Sequence, residues 1–156
     1  MKKLIILISV LGLFGAYESV MAENWKLIGE HSAAKYWYDT DSVQKVDGRI
    51  FRVWQKTANT KRRKYEMAKQ LNATPATGSD DEKLMRANLD SDYTKEQLEI
   101  SYLNMVYRYL KIIFCDKSGK ELYRMDERTK SWTTRGKWRD IEEGTALAVI
   151  YEKICP

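Results

Sequence analysis

Apolar and polar residues alternate along much of the chain beyond residue 23, which is the pattern of half-buried β-strands. Aromatic and β-branched residues are frequent in these stretches, and both classes favour strands. The alternation predicts about six strands, at residues 24–28, 35–38, 50–56, 93–103, 106–114 and 120–125. Turn sequences such as Asp47-Gly48 join successive strands. Hairpin order of this kind predicts an antiparallel sheet.

Some segments change from a period of two to the period of an α-helix. Residues 60–71 predict a central helix, and residues 80–89 predict a further short one. Near the C-terminus Thr145 can cap a helix, and its apolar face is formed by Leu147, Ile150, Tyr151 and Ile154. A helix this short needs a surface to pack against. The sequence therefore predicts an α+β domain with a central helix insertion and a C-terminal helix packed on the sheet.

The first 22 residues have the features of a signal peptide. A positive start is followed by an apolar run over residues 4–14, which is too short to span a bilayer. Cleavage is expected between Ala22 and Glu23, so that the domain comprises residues 23–156. No cysteine lies near this site to carry a lipid anchor. We therefore expect an exported protein that is periplasmic or secreted rather than attached to the outer surface.

The chain carries a net charge of +5 and is rich in Trp and Tyr. Export argues against nucleic acid as the partner. The positive charge would then serve contact with acidic polymers or anionic lipid headgroups, or it would serve only to keep the protein soluble. The run Lys61-Arg62-Arg63-Lys64 opposes the dipole of the central helix that it begins. It is a candidate contact for an anionic group, and a solvated helix face is the simpler interpretation.

The chain has two cysteines, Cys115 and Cys155. An even count in an exported protein favours a disulfide within the chain. Two free thiols and a bridge between chains are the alternatives. Strand alternation places Cys115 with Tyr107 and Tyr109, on the face opposite the apolar Leu110, Ile112 and Phe114, so pairing with Cys155 would need a bulge. With no CxxC pair and a single histidine, the sequence argues against a thiol-redox motif and a zinc site.

No arrangement of residues in the sequence predicts catalysis or a cofactor. His31 has no nucleophile motif beside it, and Asp39-Thr40-Asp41 lacks the glycine and glutamate of a calcium loop. We therefore expect a protein that is not an enzyme. Exposed Trp and Tyr often anchor protein interfaces, since they bury large areas. The candidate interface aromatics are Tyr36, Tyr38, Trp54 and Trp132.

Several short motifs resemble the surface-adhesin protein E-like domain family. They are WxxI (25–28), YWYDTDSV (36–43), VWQK (53–56), YRYL (107–110), DKSGK (116–120) and WxxIxxGT (138–145) with the final Cys155. The resemblance implies an antiparallel sheet whose concave face holds a C-terminal helix tethered by a disulfide. It also implies a bacterial exported protein. The family's namesake is a lipid-anchored dimeric adhesin that binds vitronectin, laminin and plasminogen.

The chain departs from that family in the position of its first cysteine. Ser101-Tyr102 stands where the family carries a cysteine, and Cys115 stands where a tyrosine is usual. The favoured function is a non-enzymatic, adhesin-like module that acts through protein–protein contact. Its partner would be a host matrix protein, an envelope component or a second copy of the chain. The alternative is a small periplasmic accessory domain that binds a ligand in the cleft between sheet and helix.

Overall fold

The computed structural model describes residues 23–30, 33–73, 78–129 and 136–156. The predicted signal peptide, His31 and Trp132 lie outside these residues. Strands within the described part are Trp25–Glu30 (β1), Ala34–Asp39 (β2), Gln44–Lys45 (β3), Ile50–Asn59 (β4), Tyr93–Ser101 (β5), Val106–Cys115 (β6), Glu121–Asp126 (β7) and Arg139–Asp140 (β8). The α-helices are Lys61–Ala73 (α1), Asp80–Asp90 (α2) and Ala146–Ile154 (α3).

The strands form one antiparallel sheet in the order β1-β2-β4-β5-β6-β7. The short strands β3 and β8 pair with β4 and β6 respectively. Helices α1 and α2 are inserted between β4 and β5, which are neighbours in the sheet. The predicted α+β class, the antiparallel sheet and both helix positions are confirmed.

Helix α3 closes the main hydrophobic core on one side of the sheet, which we call the inner face. Ile150 is fully buried in one cluster with Val53 of β4 and Leu98 of β5, and Leu147, Tyr151 and Ile154 pack around it. The Thr145 hydroxyl accepts a hydrogen bond from the Ala148 amide at 3.2 Å, as the capping pattern predicted. Both the cap and the apolar face of this helix were readable from local sequence.

Helix α2 covers another part of the same face. Its Leu84 and Ala87 pack against a second cluster of Ile112, Phe114 and Met125. Ser79 caps the helix by accepting a hydrogen bond from the Glu82 amide at 3.2 Å, and the acidic first turn favours the helix dipole. Two helices therefore lie on one face, with a cleft between the sheet and the helical layer.

A β-bulge in β6 changes which residues face the core. Gln97 is opposite Lys111 and Leu98 is opposite Tyr109, so Leu110 has no partner in β5. The bulge brings Tyr107 and Tyr109 to the inner face, where Ile112 and Phe114 also lie. Simple alternation, which placed the two tyrosines on the face of Cys115, was therefore wrong. A bulge inserts one residue into a strand, so that side chains beyond it point to the opposite face from the one that simple alternation gives.

The predicted disulfide between Cys115 and Cys155 is also wrong, because both thiols are free. Cys155 follows α3 and packs against the inner-face core. Cys115 lies opposite Tyr93 and points to the other side of the sheet, which we call the outer face. The sheet itself separates the two sulfurs. The helix is held by its cap, its apolar face and the hydrogen bond from the Tyr151 hydroxyl to the Tyr102 carbonyl (2.8 Å).

We expect both thiols to react slowly with alkylating reagents in the folded protein. Burial raises the pKa of Cys155 to about 11 and also raises the pKa of Cys115, so little thiolate is present at neutral pH. Mass spectrometry after iodoacetamide treatment should show two added groups only when the protein is unfolded first. A chain that accepts none after unfolding without reductant would contradict the free thiols.

Candidate functional site

The outer face is built from cross-strand rows of aromatic and charged side chains. Strand alternation turns Arg52, Trp54 and Lys56 of β4 away from the core residue Val53. The register then fixes three rows across the sheet, which are Arg52–Glu99–Arg108, Trp54–Gln97–Lys111 and Trp37–Lys56–Lys95. Cross-strand neighbours in such rows are close enough for their side chains to interact.

Lys56 lies in an aromatic cage. Its Nζ is 4.7 Å from the ring centre of Trp25, 5.0 Å from that of Trp37 and 5.8 Å from that of Tyr93. Aromatic rings attract a cation at these distances through their electron-rich faces. Burial lowers the pKa of Lys56 from its ordinary value. The cage fixes the positions of half-exposed indole rings on a face that neither core cluster of the described residues uses.

Lys95 lies directly opposite Lys56, so two like charges face each other across β4 and β5. Glu23, just before β1, partly balances them. Its carboxylate accepts hydrogen bonds from Lys95 Nζ and from the Trp25 indole (2.8 Å). Burial opposes the charge of Lys95, but the hydrogen bond and the negative charge of Glu23 raise the pKa of that lysine overall. The Glu23 carboxylate therefore contacts Lys95 and acts on Lys56 only through its charge.

The Arg52–Glu99–Arg108 row also holds two cations and one carboxylate. The Glu99 carboxylate accepts hydrogen bonds from Arg52 Nη2 (2.6 Å) and from Arg108 Nη2 (2.6 Å) and Nε (2.9 Å). Trp138 lies over the Arg108 guanidinium, with 4.8 Å from Cζ to the ring centre. Arg52 Nε is buried and has no hydrogen-bond partner among the described residues. Two guanidinium groups therefore share one carboxylate.

Trp54 occupies the middle row between these two charged rows. Its ring centre is 6.0 Å from Lys111 Nζ, and its side chain is half-exposed. On β4, β5 and β6 the outer-face cations are Arg52, Lys56, Lys95, Arg108 and Lys111. The carboxylates that contact them are Glu23 and Glu99. Within these three strands the outer-face cations outnumber the carboxylates, and Asp126 of β7 lies opposite Lys111 at the end of the Trp54 row.

The structure separates the candidate aromatics that the sequence had grouped together. Trp54 lies on the outer face, whereas Tyr38 is 7% exposed in the inner core and Tyr36 lines the inner cleft. Tyr38 is therefore not available to a partner. The alternation Arg52-Val53-Trp54-Gln55-Lys56 contained the signal for the outer rows, but the sequence did not show which face the helices would cover.

The basic run at the start of α1 is mostly solvated. Lys61, Arg62 and Arg63 are exposed, and Lys64 Nζ donates a hydrogen bond to the Ser91 carbonyl just beyond α2. Cations near a helix C-terminus are favourable, so Lys64 has a structural role. The contribution of the other three to binding an anion stays a prediction.

The inner cleft is the second candidate site. It has a volume of about 340 Å³ and lies between α2 and strands β2, β4, β5 and β6. Polar groups line much of it, among them Gln55, Asn59, Asn88 and Glu96, beside the aromatic Tyr36 and Tyr109. The Glu96 carboxylate accepts hydrogen bonds from Gln55 Nε2 (2.7 Å) and the Thr94 hydroxyl (3.3 Å).

The described residues contain no group of three or more His, Cys, Asp or Glu side chains placed to hold a metal ion. Within the same part of the chain, no helix has the length and apolar character needed to cross a membrane. Comparison with models of protein families, with curated proteins and with solved structures gives no match. The function must therefore be argued from the two sites themselves.

Proposed function

We propose that this chain is an exported, non-enzymatic binding module that holds an acidic patch of a protein partner on its outer face. The observation that carries the proposal is the Trp54 ring between two cationic pairs, Arg52 and Arg108, which share Glu99, and Lys56 and Lys95, of which only Lys95 contacts Glu23. Trp and Arg dominate the binding energy of many interfaces. Carboxylates of a partner would complete the charge balance that the chain itself leaves incomplete.

The cost of this arrangement in the free protein supports a binding role. Like charges directly opposite each other across strands destabilise a sheet, and such pairs have effects of roughly 0.2–1 kcal/mol. A protein that only needed solubility could place Lys56 and Lys95 apart. Here the cage of Trp25, Trp37 and Tyr93 holds Lys56 beside Lys95. Rings and cations that are already fixed lose little entropy on binding.

The expected class of partner comes from the resemblance and the predicted export. A protein E-like domain that is periplasmic or secreted would meet envelope components or host matrix proteins. A second copy of the chain suits the outer face less well, because two basic faces repel each other. The adhesin-like function and its location outside the cytoplasm are both parts of this proposal.

Replacing Trp54 with alanine or Lys111 with glutamate should weaken partner binding by about tenfold or more, since central aromatic and charged contacts carry most of the energy. The measurement is surface plasmon resonance of residues 23–156 against host matrix proteins and fractionated envelope proteins. Affinity should also fall as salt rises, because the contacts are ionic.

Lys117→Glu is the matched control, because it makes the same charge change in the exposed turn between β6 and β7. It should leave binding nearly unchanged. The proposal fails if no macromolecule binds the native domain, or if Trp54→Ala binds as tightly as the native chain. Sedimentation of the domain alone separates partner capture from self-association.

The second candidate function is binding of a small ligand in the inner cleft. The specific observation in its favour is a volume of about 340 Å³ lined by hydrogen-bonding groups rather than closed by apolar side chains. Ligand sites commonly fall in the range from about 300 to 1,000 Å³. The two sites lie on opposite faces of one sheet, so both functions can coexist.

A further inference from the structure

Side-chain amides form much of the polar lining of the inner cleft. Gln55, Asn59 and Asn88 come from β4 and α2 and meet there. The carboxylate among the described lining residues, Glu96, already accepts hydrogen bonds from Gln55 Nε2 (2.7 Å) and from the Thr94 hydroxyl (3.3 Å). Because this carboxylate is engaged within the chain, a ligand needs no charge of its own to match the lining.

Gln55 presents a buried acceptor. Its side chain is 4% exposed, and its amide nitrogen donates to Glu96 Oε2 (2.7 Å) and to the Thr57 hydroxyl (3.2 Å). The amide cannot exchange its two ends, because a carboxylate accepts hydrogen bonds and does not donate them. Gln55 Oε1 is then left without a hydrogen-bond partner in the described part of the chain. A buried acceptor of this kind favours a ligand that brings an O–H or N–H donor.

Asn59 and Asn88 add one acceptor and one donor. Asn59 Nδ2 donates to Asn88 Oδ1 at 2.7 Å, which joins the end of β4 to α2. The other ends of the two amides, the acceptor Asn59 Oδ1 and the donor Asn88 Nδ2, make no hydrogen bond within residues 23–30, 33–73, 78–129 and 136–156. A hydroxyl group both donates and accepts, so it can bond to either amide.

Apolar side chains lie beside these amides. Leu84 of α2 and Tyr109, Ile112 and Phe114 of β6 line the cleft, and they pack together in the second core cluster. The Tyr109 ring is held edge-on to Tyr107, with 5.5 Å between ring centres. The cleft therefore combines a fixed apolar surface with neutral groups that donate and accept.

From these contacts we propose that the inner cleft binds a neutral saccharide ring. A pyranose has hydroxyl groups around its rim and a face of C–H groups that packs well on aromatic and aliphatic side chains. Its hydroxyls would donate to Gln55 Oε1 and Asn59 Oδ1 and accept from Asn88 Nδ2. Its C–H face would lie against Tyr109. The inference rests on the second candidate function, a small-ligand site in this cleft, and does not depend on the protein partner of the outer face.

The test is an NMR titration of the full chain with glucose, galactose, mannose and N-acetylglucosamine, each compared with the open-chain polyol sorbitol. At least one pyranose should give saturable shifts at Gln55, Asn88 and Tyr109. Sorbitol has the hydroxyls but no ring face, so it should bind at least about tenfold more weakly. The proposal is overturned if no pyranose gives saturable shifts, or if sorbitol binds as tightly as the best pyranose.

Two neutral compounds without hydroxyls, N-methylacetamide and cyclohexanone, separate failure of the saccharide assignment from failure of the cleft as a ligand site. Saturable shifts at the cleft with these compounds but with no pyranose would overturn the saccharide assignment and leave the cleft as a site for other ligands. An absence of shifts with every compound would overturn both. Neither outcome bears on binding at the outer face, which lies on the other side of the sheet.

Two variants locate the site. Asn88→Ala removes the donor on α2 and should weaken binding of the best pyranose by about tenfold or more. Asn104→Ala makes the same change in the exposed turn between β5 and β6 and should have no effect. Gln55→Met removes the buried acceptor and should also weaken binding, with circular dichroism to check that the variant folds. Native affinity in Asn88→Ala would contradict the proposal even if Gln55→Met failed to fold.

Discussion

Replacing Ile150 with alanine is expected to lower the free energy of unfolding by about 2–4 kcal/mol, because it removes a fully buried side chain from the main core. Ile150 is 0% exposed and packs in one cluster with Val53 and Leu98. Helix α3 has nine residues, too few to be stable in water by itself, so its structure depends on this packing. Urea denaturation followed by circular dichroism measures the change.

Glu152→Ala on the same helix is the control, because its side chain is exposed. It should change stability by no more than about 0.5 kcal/mol. If Ile150→Ala were equally mild, α3 would not complete the core, since the free thiols leave no covalent tether to substitute for that packing. The pair therefore tests how much the packing of Ile150 contributes to holding the last helix.

The parts of the fold that the sequence predicted correctly are set by local interactions. The cap at Thr145 and the apolar spacing of α3 involve residues within a few positions of one another. The strands β4 and β6 were recognisable from composition and alternation for the same reason. The insertion of α1 and α2 between neighbouring strands also followed from hairpin order.

The errors have a common physical origin in pairing between distant strands. The bulge at Leu110 depends on how β5 and β6 pair, and neither glycine nor proline marks it within β6. Cys115 follows the inner-face Phe114 directly and therefore points to the outer face, away from Cys155. The cysteine count could not show this, because a disulfide requires short distances that only the folded chain defines.

The candidate site was predictable in part. Arg52, Trp54 and Lys56 alternate in one strand, so their common face could be read directly. Their partners Glu99 and Arg108 come from other strands, and only the register brings them together. A cleft between sheet and helix was expected, and the inner cleft is bounded by α2 rather than by the C-terminal helix. Its polar lining was not expected, because Gln55, Asn88 and Glu96 come from separate elements.

Replacing Glu99 with glutamine is expected to destabilise the protein by about 1–3 kcal/mol at neutral pH. Its carboxylate is 5% exposed and serves both Arg52 and Arg108, so the change removes charge-assisted bonds and leaves two guanidinium groups facing each other. Loss of one partner from a fully buried pair costs about 3–5 kcal/mol. Here the arginines are 35% and 37% exposed, so solvent reduces the cost.

The effect of pH identifies the carboxylate as the cause. Burial acts to raise the pKa of Glu99, but the hydrogen bonds and charges of Arg52 and Arg108 outweigh it and lower that pKa overall. Its stabilising contribution is therefore complete above the unfolded pKa of about 4.3 and disappears as pH falls through the folded value. The stability gap between native chain and Glu99→Gln should shrink on acidification below about pH 4.3. As a control, Glu121→Gln breaks an exposed ion pair with Arg124 and should lower the free energy of unfolding by less than about 1 kcal/mol. If the stability difference between the native chain and Glu99→Gln stayed constant with pH, the effect of that substitution would come from packing rather than from the charge of Glu99.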